Sequence, residues 1–334
     1  MPYQNVGTPR FYINVPDWLR SVGAIESIDP LYMTTPENKV TGTATDVVQS
    51  YLPRACTEQG FVAILGHKAG GRKFVISGEL ADNSFDGYTL TEVLNLPPGG
   101  LVLHGVSIAT ISNLNHTLFK KFTVNTVDYW DNSVTVDHGC IVFGTYYDMP
   151  HSPDLKLTMS RDLDGVKRLR TKGGSDLVGY KYTKPAMWGG GNVGAWDGFG
   201  SESDSLHALS RIGRRSWNLS FSYLQGSDVF GSNQSISNFV DGPDYFIPAY
   251  ASADTGYEDV DTTGPGYTYN LLSDDNFYSQ VIHRLNGSQL RFLFQPDNTD
   301  PTDIAIAKLD MKSFKFKQVA NGAYNVKLKI KEVW

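Results

Sequence analysis

The feature that most constrains this chain is an unbroken alternation near its C-terminus. Every second residue there is apolar and the others are polar, in the order Tyr324, Asn325, Val326, Lys327, Leu328, Lys329, Ile330 and Lys331. A period of two is typical of a β-strand with one buried face and one solvent-exposed face. The dipeptide Asn321-Gly322, just before it, predicts a tight hairpin turn. The sequence therefore predicts a terminal β-hairpin, which needs further strands or a helix to cover its apolar face.

The residues before this hairpin predict a short helix and three more strands. Phe277, Val281 and Leu285 recur at every fourth position and give the helix one apolar face, while Asn286-Gly287 predicts its left-handed end. Alternating apolar residues predict strands at 290–294, 304–307 and 314–317. Because the apolar stripe of the helix is too narrow to be buried on all sides, we expect the helix to pack on one face or edge of the sheet.

The first part of the chain predicts a series of short strands. The apolar runs at 61–65 and 141–143 have the length of strands, and turns separate such runs at intervals of about ten residues, which is typical of a sandwich or barrel. Pro150 and Pro153 interrupt this pattern, and we place a boundary there. The sequence therefore predicts one domain at residues 1–149 and a second at residues 150–334, in keeping with a chain of 334 residues.

The second domain contains a predicted hairpin, a strand and a long insert. Alternation at 155–159, a turn at Asp164-Gly165 and a returning run at 166–171 predict the hairpin, and alternation at 217–223 predicts the strand. The insert, residues 225–272, has no period and is too long for an idle loop, so we interpret it as an arm or lid that orders against a neighbour. Its aromatic residues suit a protein interface better than sugar stacking. The candidates are Tyr245, Phe246 and Tyr257.

The composition argues against several classes of protein. Charged residues make up 19% of the chain and the net charge is −6, without any long basic run, so a nucleic-acid groove is not expected. Cys56 and Cys140 are too few for a disulfide framework or a zinc site, and we expect buried free thiols. The absence of a signal peptide and of an apolar run of ~18 residues predicts a soluble protein made in a cytoplasm.

The patterns that could carry catalysis or metal binding each lack a necessary part. The glycine-rich run at 189–194 has neither the preceding strand nor the following helix of a dinucleotide loop. Asp137-His138 has no nucleophile at a recognisable elbow, and His67 is expected to be structural rather than sugar-binding. The acidic stretches at 258–261, 274–275 and 297–303 fall in predicted turns and a helix start, although glycoside hydrolysis stays open for them and Ca²⁺ binding for the loop at 297–303. We therefore predict no catalytic residue, no cofactor and no metal.

Several stretches of the second half, taken in their order along the chain, carry a resemblance to a known family. They are the strand at 217–221 after Gly213-Arg214-Arg215, the helix near Phe277, the run at 290–297, and the closing stretch at 314–326 with Glu332-Val333. Together they resemble the tail-tube-like fold of minor tail proteins from long-tailed bacteriophages, especially the distal tail protein. The runs at 61–67 and 141–148 resemble the jelly-roll, galactose-binding-like domains of such proteins.

The fold that this resemblance implies is mainly β. An N-terminal, jelly-roll-like β-sandwich would be followed by a tail-tube-like antiparallel β-sandwich or barrel with one flanking α-helix. The implied function is that of a structural virion protein, made in the host cytoplasm and located in the phage tail. It would form a homo-oligomeric ring, taken as a hexamer, that links the tail tube to the hub or host-recognition proteins. DNA would pass only as cargo, a host surface glycan is a candidate partner, and no membrane is involved.

The resemblance also implies where subunits meet, because tube-like subunits join edge strands to those of their neighbours. The expected interface residues of the last strand are Tyr324, Val326, Lys327, Lys329 and Lys331. The lysine row is either a solvent-exposed, guarded edge or the lining of a channel. The alternative function is a carbohydrate-binding adhesin module without a ring, and a glycan-degrading enzyme is the least favoured reading.

Overall fold

The computed structural model describes residues 6–23, 34, 40–42, 44–48, 59–65, 73–80, 106–112, 119–127, 130, 132–133, 135–138, 140–155, 157–162, 168–179, 214–229, 275–300 and 303–333. These residues form a mainly β structure, as predicted. Its strands are β1 (Arg10–Asn14), β2 (Val40–Gly42), β3 (Ala44–Val48), β4 (Gln59–Leu65), β5 (Lys73–Leu80), β6 (Val106–Ser112), β7 (Phe119–Val127), β8 (Val136–His138), β9 (Cys140–Asp148), β10 (Thr158–Asp162), β11 (Arg168–Arg170), β12 (Asp176–Val178), β13 (Arg214–Gln225), β14 (Phe292–Gln295), β15 (Ala305–Leu309), β16 (Phe316–Ala320) and β17 (Ala323–Glu332). Its helices are α1 (Val15–Ser21), α2 (Gly226–Val229) and a π-helix (Tyr278–His283).

Ten strands form one antiparallel sheet. Nine of them follow the order β10-β13-β17-β15-β14-β1-β9-β4-β6, and β16 pairs with β17 beside β15. Three smaller sheets are β11-β12, β2-β8 and β3-β7-β5. The architecture of the main sheet decides which strands can offer an edge to another chain.

The final strand, β17, lies inside this sheet. β13 pairs along one side of it, while β16 and β15 pair with its first and second halves on the other side. The expectation that this strand is an edge is therefore wrong, because its backbone hydrogen bonds are already taken on both sides. The free strand edges in the described part of the main sheet belong to β10, β6 and β16.

The main sheet takes strands from both sides of residue 150. β1 pairs with β9 on one side and with β14 on the other, so residues 10–14 lie between strands that are far apart in sequence. The division into domains at residues 1–149 and 150–334 stays a prediction, but hydrogen bonding in the sheet is continuous across it.

Apolar residues are buried on both faces of the sheet. The main core, on one face, is built by alternate residues of the central strands, such as Phe11 and Phe292, together with Phe277 of the helical segment. A second cluster on the opposite face contains the residues between them, such as Tyr12 and Leu293. The short strand β14 is consequently buried at all four positions.

The C-terminal end of the predicted helix is confirmed, whereas its start is set by Asn276 and not by the acids at 274–275 that the sequence suggested. Asn276 Oδ1 accepts a hydrogen bond of 2.9 Å from Ser279 N and so caps the first turn. Asn286 (φ 50°) and Gly287 (φ 74°) adopt the predicted left-handed conformation. Gly287 N donates to Ile282 O at 2.9 Å, which closes the last turn.

The winding and the burial of this helix differ from the prediction. Residues 278–283 wind as a π-helix rather than an α-helix, with hydrogen bonds reaching back five residues at its end. Its polar residues Ser279, Gln280 and Arg284 are buried along with the apolar stripe, so the helix is enclosed on nearly all sides. The prediction failed here because α1 and β9, which face Arg284, are far away in sequence.

The closing hairpin is confirmed and the hairpin predicted at 155–171 is wrong. Gly322 (φ 72°) makes the turn between β16 and β17, as predicted. β10, however, pairs with β13, whereas β11 pairs with β12 around a turn at 171–175. Gly174 (φ 86°) and the Thr171 side chain, which accepts from Ser175 N at 3.0 Å, form that turn. The glycines at 173–174 were the sequence signal for it.

Candidate assembly surface

The expected interface residues of β17 divide between core and surface. Val326 is 1% exposed and lies in the main core, so its side chain has no exposed surface to offer a neighbour. Tyr324 is half-buried, and its ring lies 6.0 Å from that of Phe316. Lys327 and Lys329 are exposed on the opposite face, as the alternation predicts. The other candidates, Tyr245, Phe246 and Tyr257, lie outside the described residues, as does most of the insert at 225–272.

The three lysines of β17 project from a polar face of the sheet. Lys329 Nζ lies 2.5 Å from Asp310 Oδ2, and Lys331 Nζ lies 2.7 Å from Asp162 Oδ2. Lys327 stands opposite Ser220 of β13. Two of the three positive charges are thus compensated locally by pairs that, being exposed, add little stability.

A strip of aromatic side chains lies beside β16. We use the name aromatic strip for Tyr278, Phe314, Phe316 and Tyr324, whose neighbouring rings are spaced at 6.3, 6.0 and 6.0 Å. The strip continues the main core, since Phe314 also meets the ring of Phe277 at 5.6 Å. It reaches the surface at Phe316, which is 43% exposed.

The hairpin β11–β12 is exposed along its whole length. Every residue from 168 to 179 is exposed. Leu169 and Leu177 face each other across the two strands at 67% and 58% exposure. A two-stranded hairpin is at best marginally stable alone in water. An exposed leucine pair does not stabilise it through burial, and such pairs often mark an interaction surface. We name residues 168–179 the exposed arm.

Tyr223 lies at an irregularity in β13, near the turn between β16 and β17. Its φ is 62°, and the register with β17 shifts between Phe221 and Leu224. The Asn325 side chain accepts from Tyr223 N at 3.2 Å, and the tyrosine is 78% exposed. A left-handed conformation costs a bulky residue about 1–2 kcal/mol, so this tyrosine is presented outward at the expense of local strain.

A buried cluster of three charged residues connects the start of β13 to the end of β17 and to the residues just before β15. The Arg215 guanidinium contacts both Glu332 oxygens, at 3.2 and 3.1 Å, and also Asp303. It donates to Ile304 O at 2.8 Å as well. Burial opposes the charge of Arg215, but the carboxylates more than offset it and raise its pKa. Removing one member would leave an uncompensated buried charge, so this cluster is structural.

A second polar cluster lies where α1 meets the π-helix. The rings of Trp18 and His283 are 5.6 Å apart, and Arg284 Nη1 donates to Thr145 Oγ1 at 2.5 Å. Burial, and then the charge of Arg284, lower the pKa of His283 to about 4. The imidazole is therefore neutral near pH 7, and its Nδ1 has no hydrogen-bond partner among the described residues. Sequence reasoning missed this cluster, for which only the polar residues inside an apolar helical stretch gave a signal.

The remaining residues considered for chemistry have structural partners where they are described. Asp297 Oδ1 accepts from Thr299 N at 3.0 Å, forming a turn, and Asp303 belongs to the Arg215 cluster. Asp137 and His138 lie in β8, paired with β2. Cys140 is a buried free thiol, as expected. Outside the described residues lie the following: Cys56, His67 and the runs at 189–194 and 258–261.

The described residues contain neither a metal-binding group of side chains nor a membrane-spanning helix. No group of three or more His, Cys, Asp or Glu side chains in this part of the chain is arranged to hold a metal ion. Among the same residues, no helix is long and apolar enough to cross a membrane.

Comparison with known proteins gave no match of any kind. No protein-family model and no curated protein matches the sequence, and no solved structure matches the fold. A functional assignment consequently rests on the residues and surfaces described above.

Proposed function

We propose that this chain is a non-catalytic structural protein of a bacteriophage tail. In this proposal it forms a homo-oligomeric ring that links the tail tube to the hub or host-recognition proteins. The finer fold assignment, a jelly-roll-like sandwich followed by a tail-tube-like domain, belongs to the same proposal and draws on the resemblance in the sequence. DNA is cargo and no part of the binding function.

The observation that carries the assembly part is the exposed arm. Its Leu169–Leu177 pair is exposed in the single chain, and contact with another copy would bury it. The arm also carries Arg168, Arg170 and Lys172 against Asp176, whereas the whole chain has a net charge of −6. A basic arm on an acidic molecule is electrostatically suited to a second copy of the same chain. A heterologous contact of this kind forms a ring when the rotation between neighbouring subunits closes.

The test is the mass of the purified chain by light scattering. We expect a hexamer or trimer for the native chain and a monomer for the variant L169S/L177S, because the leucine pair is lost from the contact. Leu155→Ser is the matched control, since Leu155 is also fully exposed but lies outside the arm. It should leave the mass unchanged.

A native chain that stays monomeric at all concentrations would overturn the proposal. Binding of that monomer to a glycan array would instead favour the carbohydrate-binding adhesin. An oligomer that survives the L169S/L177S change would remove the arm from the account of assembly.

A further inference from the structure

The strand β16 is an edge that the described part of the chain leaves uncovered. It pairs with β17 on one side, and no described strand pairs with its other side. All five of its residues are exposed, among them Phe316 and Val319 at 43% each. An edge strand directs half of its N–H and C=O groups outward and is a template for another extended segment.

The surface beside this edge is positively charged. Lys315 and Lys317 are exposed on and next to β16, and Lys327 is exposed on the neighbouring strand. None of these three forms an ion pair with a described residue, in contrast to Lys329 and Lys331. A ligand for this edge should therefore carry negative charge, together with aromatic groups that extend the aromatic strip.

The chain itself supplies a segment of that chemistry. No Lys or Arg occurs between Arg215 and Arg284. Residues 241–261 contain six acids, namely Asp241, Asp244, Asp254, Glu258, Asp259 and Asp261. The same stretch contains the aromatic residues Tyr245, Phe246, Tyr250 and Tyr257.

The described residues that precede and follow the stretch containing this segment lie near β16. At its start, Gly226 N donates to Gly322 O in the β16–β17 turn at 3.2 Å, shortly before the described part breaks off at Val229. Where the described part resumes, at Asp275, the chain leads directly into Phe277 and Tyr278, whose rings contact Phe314. Because residues 241–261 are tethered on both sides to points near β16, they meet this surface at a high effective concentration.

We propose that the outer edge of β16, flanked by Lys315, Lys317 and Lys327, is a docking site for the acidic, aromatic residues 241–261 of the same chain. The segment adds along β16 through backbone hydrogen bonds, its carboxylates face the lysines, and its aromatic rings extend the aromatic strip. The exposed arm of a second copy is a poorer occupant, because Arg168, Arg170 and Lys172 would be repelled by the same lysines. This inference holds whether or not the chain forms a ring.

Hydrogen exchange of the β16 amides in the full-length chain tests the proposal. One variant neutralises the acids (D241N, D244N, D254N, E258Q, D259N and D261N) and another reverses the lysines (K315E and K317E). We expect β16 amides to exchange at least about tenfold faster in both variants, because the docked segment is released. Unchanged protection of β14 amides reports that the fold is intact.

Matched controls separate docking from general charge effects. The variant D197N/E202Q/D204N removes acids outside the segment and should leave β16 exchange unchanged. A synthetic peptide of residues 241–261, added to the acid-neutralised variant, should restore protection. Equal β16 exchange in the native chain and both variants would overturn the proposal. The proposal would also be overturned if the β16 amides of the native chain lost their protection from exchange when the protein is diluted, since the occupant would then be a second copy.

Discussion

His283 illustrates how surroundings reset the chemistry of a single side chain. Its ring contacts that of Trp18, and burial followed by the charge of Arg284 lowers its pKa from 6.5 to about 4. The folded protein therefore binds this proton less readily than the unfolded chain does. The free energy of unfolding contributed by neutral His283 is complete above pH 6.5 and is lost as the pH falls towards 4.

We expect acid to destabilise the native chain more than the His283→Gln variant. Between pH 6.5 and 4 the unfolded chain takes up a proton that the folded chain does not, with a limiting slope of about 1.4 kcal/mol per pH unit. The half-buried position of His283 reduces the observed slope below this limit. Urea unfolding at pH 7, 5.5 and 4.5 measures it.

The pH range from 7 to 8 supplies the control for this experiment. His283 is largely neutral in both states there, so the two proteins should show nearly parallel pH dependence. If native and variant lost stability equally between pH 6.5 and 4.5, His283 would not be the group responsible.

Among the elements, the π-helix is defined by its ends more than by its apolar face. Asn276 caps it, and Asn286 and Gly287 end it in left-handed conformations. These local signals are worth about 1 kcal/mol each and do not depend on distant parts of the chain. The wider winding between the ends and the burial of Arg284 do depend on the packing of α1 and β9.

Gly287→Ala should lower the free energy of unfolding by about 1 kcal/mol, because a left-handed φ disfavours any Cβ. No atom lies within 4 Å of the position that this Cβ would take, so the cost is conformational and not steric. Chemical denaturation of native and variant chains gives the difference.

Gly173→Ala is the matched control for this change. Gly173 is exposed in the arm and a Cβ there meets only the Thr171 hydroxyl at 3.9 Å, so stability should change by less than about 0.5 kcal/mol. Equal effects of the two substitutions would contradict a special role for the left-handed conformation at Gly287.

For the whole molecule, the decisive feature is the position of β1 between β9 and β14. Phe11 of β1 is fully buried, and its ring lies 5.3 Å from Phe277, 5.6 Å from Phe292 and 5.3 Å from Phe294. A residue near the start of the chain therefore completes the core built by residues near its end.

Co-expressed fragments 1–149 and 150–334 should purify together through a tag on one of them. The reason is that β14 otherwise loses one of its two strand partners, β1, and the main core loses Phe11. Phe11→Asp in the first fragment should abolish the association, because it places a charge in the core.

Trp130→Asp in the first fragment is the control, since Trp130 is 78% exposed and the association should survive its replacement. A fragment 150–334 that unfolds cooperatively as a stable monomer on its own would show that β1 is dispensable. In that case the two predicted domains would be independent units.

The sequence by itself determined the local features of this protein. Alternation identified the buried and exposed faces of β17, and Asn321-Gly322 and Asn286-Gly287 marked a turn and a helix end, because each depends on neighbours a few residues away. Only the tertiary structure decided which strands pair. In it, β17 lies inside the sheet, β10 pairs with β13, and β1 pairs with β14. Hydrogen-bond partners and burial on a second face are set by segments that are distant in the sequence, which no local pattern records.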